Sequence, residues 1–256
     1  MRLSLAAALA VWSAPAAACI VDQATLTAHP ESVTVAEAGA PARAWFDDPV
    51  TRYDHFVLGR QTEPSSLWVD LPGNHGLCGT QAALDESHVF EDVAPRLGDL
   101  DGDGTNEVIV VRSHVDRGAQ IAVYGHDGTD LRLLATTPYI GQAHRWLAPV
   151  GATDLDGDGA VEIAYVDRPH LARVLRVWRW TDGALTEVAA VSGVTNHRIG
   201  EPAITGGVRD CGAGPEMIVA SADWSRLLAL TFDGAAVAAR DLGPFSAAAV
   251  TTAMTC

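Results

Sequence analysis

One pattern of thirteen residues occurs twice in this chain, and it constrains the fold more than any other feature. Asp99 to Val111 reads DLDGDGTNEVIVV and Asp154 to Val166 reads DLDGDGAVEIAYV, a spacing of 55 residues. The downstream landmarks repeat too. Glu107 is followed 21 residues later by Gly128 of an Asp127-Gly128 pair, and Glu162 is followed 21 residues later by Gly183 of Asp182-Gly183. Between each Glu and each Asp-Gly lie two β-rich runs, VIVV then IAVYG in one copy and IAYV then VLRVWRW in the other. Asp-Gly beside such runs is a hairpin signal, because Gly accepts the positive φ of a tight turn. A worn third copy, VRDCGAGPEMIVA (208–220), keeps Glu216 in register and runs on to Asp233-Gly234. A fainter fourth copy precedes the others: DHFVLGR (54–60), then SLWVDL (66–71), then a Gly73-Asn74 turn.

Each unit reads as strand, acidic loop, strand, crossing loop, strand, tight turn, strand. Repeated radially, a four-stranded antiparallel unit is the blade of a β-propeller. The expectation is an all-β, propeller-like single domain of about four blades, occupying residues 19–256. A β-sandwich of eight or more strands is the alternative that regular spacing leaves open.

The repeated loops have the composition of a cation site. Asp99, Asp101, Asp103 and Glu107 take loop positions 1, 3, 5 and 9, with the Thr105 carbonyl at position 7. Asp154, Asp156, Asp158, Glu162 and the Ala160 carbonyl repeat the set. Alternating carboxylates converge on one point, and Ca²⁺ takes six to eight hard oxygen ligands at about 2.3–2.6 Å. Zinc or copper prefers nitrogen or sulfur, which these loops do not supply. The loops are not EF-hands, because position 12 is Val110 or Tyr165 and the flanks read as strands. The worn loop keeps Asp210 and Glu216 but has Val208 and Gly212 where acids should stand, so it is expected to hold no ion.

The DxDxDGxxE loop set in β-rich flanks resembles the FG-GAP/VCBS repeats of integrin-type β-propellers. The resemblance is close over the two complete loops and looser from about residue 45 to 245. It implies propeller blades and calcium ligands at the ten loop positions just named, and it brings no catalytic residues.

The first residues read as an export signal: basic Met1-Arg2, an apolar run Leu3–Trp12, then Pro15 and Ala16-Ala17-Ala18. The expectation is a signal peptide over 1–18 and a periplasmic or secreted protein. Lipidation at Cys19 is a second reading, weakened by Ala16 where a lipobox usually has Leu. That apolar run is too short to span a bilayer, and no transmembrane segment is expected elsewhere. A net charge of −15 argues against nucleic acid as a partner. Cys19, Cys78, Cys211 and Cys256 lack metal-site spacing and read as two disulfides with three possible connectivities. If AITGGVRDC and AVTTAMTC are both inner strands, Cys211 and Cys256 emerge together, leaving Cys19–Cys78. A rival reading makes Ser246 the N-cap of a short Ala-rich helix that folds Cys256 back.

On a propeller plan the acidic loops lie on one face. The opposite face gathers His114, Arg117, His144, Arg145, Arg168, His170, His197, Arg198 and Trp224. In a functional reading these recognise a protein, a glycan or a small anion, with Arg as donor and Trp224 as a stacking surface. In the structural reading they tie neighbouring blades together. No nucleophile–base set, G-x-S-x-G, H-E-x-x-H or P-loop is present in the sequence. A binding or structural module is therefore expected, with a hydrolase using upper-face His and Asp residues as the alternative.

Overall fold

A computed structural model describes residues 22–71 and 79–256. These residues form four separate antiparallel sheets. The first holds β1 (Thr34–Val35), β2 (Arg43–Val50), β3 (Glu63–Val69) and β4 (Thr80–Ala83). In the second, β5 (His88–Phe90) and β6 (Arg96–Gly98) both pair with β7 (Glu107–His114), followed by β8 (Gly118–His126) and β9 (Leu131–Thr136). The third holds β10 (Leu147–Thr153), β11 (Glu162–Asp167), β12 (Val174–Thr181) and β13 (Ala184–Ser192). In the fourth, β14 (Val194–Thr195) and β15 (Gly207–Asp210) both pair with β16 (Pro215–Ser221), followed by β17 (Arg226–Phe232) and β18 (Val237–Pro244). Helix α1 (Ala247–Met254) comes last.

Strand composition explains why the sheets stack into a propeller-like row. Alternate residues of a strand face opposite sides, and the second strand of each later sheet is apolar on both. On β7, Val108 and Val110 pack with Phe46, Leu67 and Val69 of the first sheet. Ile109 and Val111 pack the other way, onto Trp146, Ile163 and Tyr165 of the third. On β11, Ala164 and Val166 continue the stack to Met217 and Val219 of the fourth. A polar chain could not cover such surfaces, each worth about 25 cal/mol per Å² of apolar area.

The far face of the fourth sheet, Ile218, Leu227 and Ala229, is covered by α1 through Ala253, with Ala249, Val250 and Met254 beside it. Ser246 caps this helix by accepting from Ala249 N–H at 3.0 Å. AVTTAMTC is therefore helical, and its reading as an inner strand is corrected: covering the apolar end face outweighs the β-propensity of its Val and Thr residues. Cys256 nevertheless reaches Cys211, to which it is bonded. The Cys19–Cys78 pairing and the Gly73-Asn74 turn fall outside the described residues.

A second correction concerns DHFVLGR, read as a strand. It lies in the β2–β3 connection, where Val57 and Leu58 are buried in the core shared by the second and third sheets. Its apolar content serves to plug the centre, and the second strand of the first sheet is instead β2, RAWFDDPV. The segment touches three sheets. Arg60 donates to the carbonyl of Asp92, His144 N–H donates to Tyr53 Oη, and Gly200 N–H donates to the Val57 carbonyl.

The acidic loops join first to second strands in the second and third sheets, and the Asp-Gly turns join third to fourth. Gly128, Gly183 and Gly234 of those turns have φ of +93°, +75° and +89°, which requires glycine or its nearest substitutes. Antiparallel alternation places both kinds of turn at one end of the sheets and the β7–β8 and β11–β12 connections at the other.

Covering the end face should matter for stability. Ala253→Glu, which sets a carboxylate against Leu227 and Ile218, is expected to lower unfolding free energy by roughly 2 kcal/mol or more. Thr252→Glu, on the exposed side of α1, should change it by no more than about 0.5 kcal/mol. Denaturant titration of the two variants checks this, and equal effects would contradict the placement of the helix.

Candidate functional site

The two complete loops fold alike because their first aspartates organise the backbone. Asp99 accepts from Gly102 N–H at 2.8 Å through one oxygen and from Gly104 N–H at 2.9 Å through the other. Asp154 does the same with Gly157 at 2.7 Å and Gly159 at 2.9 Å. Each closing glutamate reaches back to the loop: Leu100 N–H donates to Glu107, and Leu155 N–H to Glu162, both at 2.9 Å. Oxygens of Asp99, Asp101 and Glu107 thereby lie within 4.8 Å of one another, as do those of Asp154, Asp156 and Glu162. These clusters can hold a metal ion, and their donors are all hard oxygens, as Ca²⁺ or Mg²⁺ requires.

The fourth acid of each loop is engaged differently. Asp103 accepts from Thr105 N–H at 2.7 Å, and Asp158 from Ala160 N–H at 2.9 Å, so both brace the turn outside the three-acid cluster. Burial pushes the Glu107 carboxyl up, opposed by the Leu100 N–H and reinforced by Asp101, Asp103 and Asp99. Burial also pushes Glu162 up, but Leu155 N–H and Arg179 pull against it. Arg179, on β12, bonds Glu162 at 2.6 Å, Asp156 at 2.5 Å and Asp158 at 3.0 Å. In the worn loop Glu216 is paired with Arg209 at 2.6 Å and with Arg240.

At the opposite end the residues expected on one face fall into three groups. His114 packs edge-on to His88, ring centroids 4.9 Å apart, and Arg117 lies 4.1 Å over Tyr139. Arg198 lies 3.7 Å over Trp224, within the fourth sheet's own loops. The third group surrounds a cavity of about 210 Å³ lined by His55, His144, Arg145, Arg168, His170 and Leu171, among others. Arg168 is bound by Asp167 through two contacts, at 2.8 and 2.9 Å. Arg145 donates to the His144 carbonyl at 2.9 Å.

His170 and His197 form a relay. His197 Nε2 lies 2.8 Å from the Glu201 carbonyl, and His197 Nδ1 lies 3.1 Å from His170 Nε2. The Glu201 carbonyl can only accept, so neutral His197 carries its proton on Nε2 and its Nδ1 accepts a hydrogen bond from His170 Nε2–H. Burial, with His197 alongside, pushes His170 down to about 4.

Sequence reading missed His55, Tyr53 and Glu91. Glu91 is fully buried, accepting from Ser113 Oγ at 2.6 Å and facing His55 Nδ1 at 2.6 Å. His55 in turn stacks on His144, centroids 5.3 Å apart. Reading DHFVLGR as a strand hid these contacts, since their signal is a buried Glu distant in sequence.

A histidine held neutral in the fold destabilises it when acid would protonate it in the unfolded chain. The unfolded imidazole titrates near its ordinary value of 6.5, so the contribution of His170 is complete above that pH and declines as pH falls toward about 4. His170→Gln is therefore expected to show a smaller fall in Tm between pH 7 and 4.5 than the parent. Melting curves over that range check it, and identical slopes would contradict the relay.

Residues 99–165, which span both complete loops, match the family described as an FG-GAP-like repeat. No curated protein matches the chain. The repeated loop geometry and the family match agree, and the chain is an FG-GAP repeat-containing protein.

Proposed function

We propose that this is an exported, calcium-binding, propeller-like module that recognises a ligand and does not turn one over. The observation that carries the calcium part is the pair of equivalent turns, each drawing three carboxylates to within 4.8 Å around a backbone already folded to receive them. Like charges so close repel, and a divalent cation removes that repulsion while it stabilises the fold by mass action. Oxygen-only donors with carboxylate excess favour Ca²⁺. The leader-like residues 1–18 and the Cys211–Cys256 bridge support export, because disulfides persist in oxidising compartments.

The ligand surface is best read as the cavity between the β2–β3 connection and the segments entering the third and fourth sheets. It sets Arg145, Arg168 and three imidazoles beside the apolar side chains of Leu171 and Ile199. That combination suits a small anion or a glycan-like group with some apolar surface. The Arg168–Asp167 pair also serves the blade itself, so binding and bracing share residues.

Chelation should lower the Tm of the calcium-loaded protein, and Asp101→Ala with Asp156→Ala should reproduce that fall. An unchanged melt in chelator would overturn the calcium reading. A screen of glycans and small anions tests the cavity. Saturable binding lost in Arg145→Ala with little change in Tm supports recognition, whereas a large fall in Tm without binding identifies a brace. Turnover by the metal-loaded protein would favour the hydrolase reading.

A further inference from the structure

The two complete loops match in sequence and in backbone but not in charge. We propose that the second loop carries its own cation, the Arg179 guanidinium, and therefore binds calcium more weakly than the first and holds its shape without it. This rests on the calcium reading above and adds an inequality between the sites.

Three observations support it. Arg179 stands opposite Glu162 in the β11–β12 ladder, and its three nitrogens reach Glu162, Asp156 and Asp158 at 2.6, 2.5 and 3.0 Å. One planar fork thus spans three of the four acids, a geometry that guanidinium suits and a lysine point charge does not. The fourth sheet closes over it: Phe232 lies 6.0 Å from the guanidinium carbon, and the Asp156 side chain is only 6% exposed.

Among the described residues the first loop has no such group. Pairing of Val108 with Tyr124 puts Gly125 opposite Glu107, where Arg179 stands in the other sheet. A Cβ on Gly125 would fall 2.6 Å from Leu134 Cδ1, so a side chain there would require Leu134 to move aside. Among the described residues, no ion pair joins an arginine or lysine to Asp99, Asp101, Asp103 or Glu107.

The worn loop completes a series. It keeps Asp210 and Glu216 of the cluster positions, and Glu216 is held by Arg209 and Arg240. Among the described residues the three loops therefore show carboxylates with no arginine, carboxylates bridged by one arginine, and a closing glutamate held by two. Calcium can enter the second loop only as Arg179 leaves. An ion that binds a state populated at about 10% or less has its apparent affinity reduced at least ~tenfold.

Calcium titration by calorimetry, with melting curves in chelator, tests the inequality. The parent should show one tight site and a second at least ~tenfold weaker. Arg179→Gln should tighten the second site toward the first and make the chelated protein melt lower than the chelated parent. Two equal sites in the parent, or a second site unmoved by Arg179→Gln, would overturn the proposal. Should that variant not fold, Asp101→Asn and Asp156→Asn decide the matter. Asp101→Asn should remove most of the calcium-induced rise in Tm and Asp156→Asn little of it, and equal losses overturn the inequality. No calcium heat in parent or variant would instead remove the calcium reading itself.

Discussion

Sheets that are apolar on both faces cannot stand alone, and most of this structure follows from that constraint. Once β7 presents Val108 and Val110 one way and Ile109 and Val111 the other, it must be sandwiched between neighbours. The same holds for β11 and β16, so each sheet recruits the next. The row ends where a surface is covered by something other than a sheet, and at the fourth sheet that element is α1. Burial of apolar area supplies the driving force, while short polar contacts fix the register between sheets. Asn106 of the second sheet donates to the carbonyls of Ala38 and Pro41 beside the first, and Asn196 of the fourth to Ala148 of the third.

Against this apolar frame the acidic loops are an electrostatic liability with a repeated solution. The backbone is curled by the carboxylate of Asp99 or Asp154, and the buried glutamate of the next strand closes the ring. That leaves carboxylates crowded at the edge of low-dielectric sheets, where their mutual repulsion is screened less than in water. A cation resolves the crowding, and nothing in the physics requires the same cation at every loop. Arginine offers a fixed fork and a single charge, whereas a divalent ion offers more charge and a larger coordination number.

The features with local sequence causes were legible before any coordinates. Asp-Gly turns at 127–128, 182–183 and 233–234 need positive φ, and alternate acids need convergence, so the hairpins and loops could be read directly. Long-range features were not. The central plug of Tyr53 to Arg60 looks like a strand because Phe56, Val57 and Leu58 are apolar, yet Val57 and Leu58 fill the space where sheets meet while Phe56 stays exposed. The terminal Ala-rich helix was legible as the rival reading through Ser246 as its N-cap, but the apolar end of the fourth sheet that decides between helix and strand was not. Arg179 belongs to the same class. It sits 17 residues beyond Glu162, on a strand whose register alone brings it to the loop. The His55–Glu91 contact likewise joins residues 36 apart through the plug.

A crystal structure of the calcium-loaded chain, with anomalous scattering to identify the ion, tests the central claim most directly. The expected result is a calcium peak in the first loop, about 2.3–2.6 Å from oxygens of Asp99, Asp101 and Glu107. The contradicting result is a first loop without such a peak at saturating calcium, its carboxylates bonded only to the backbone amides that already surround them.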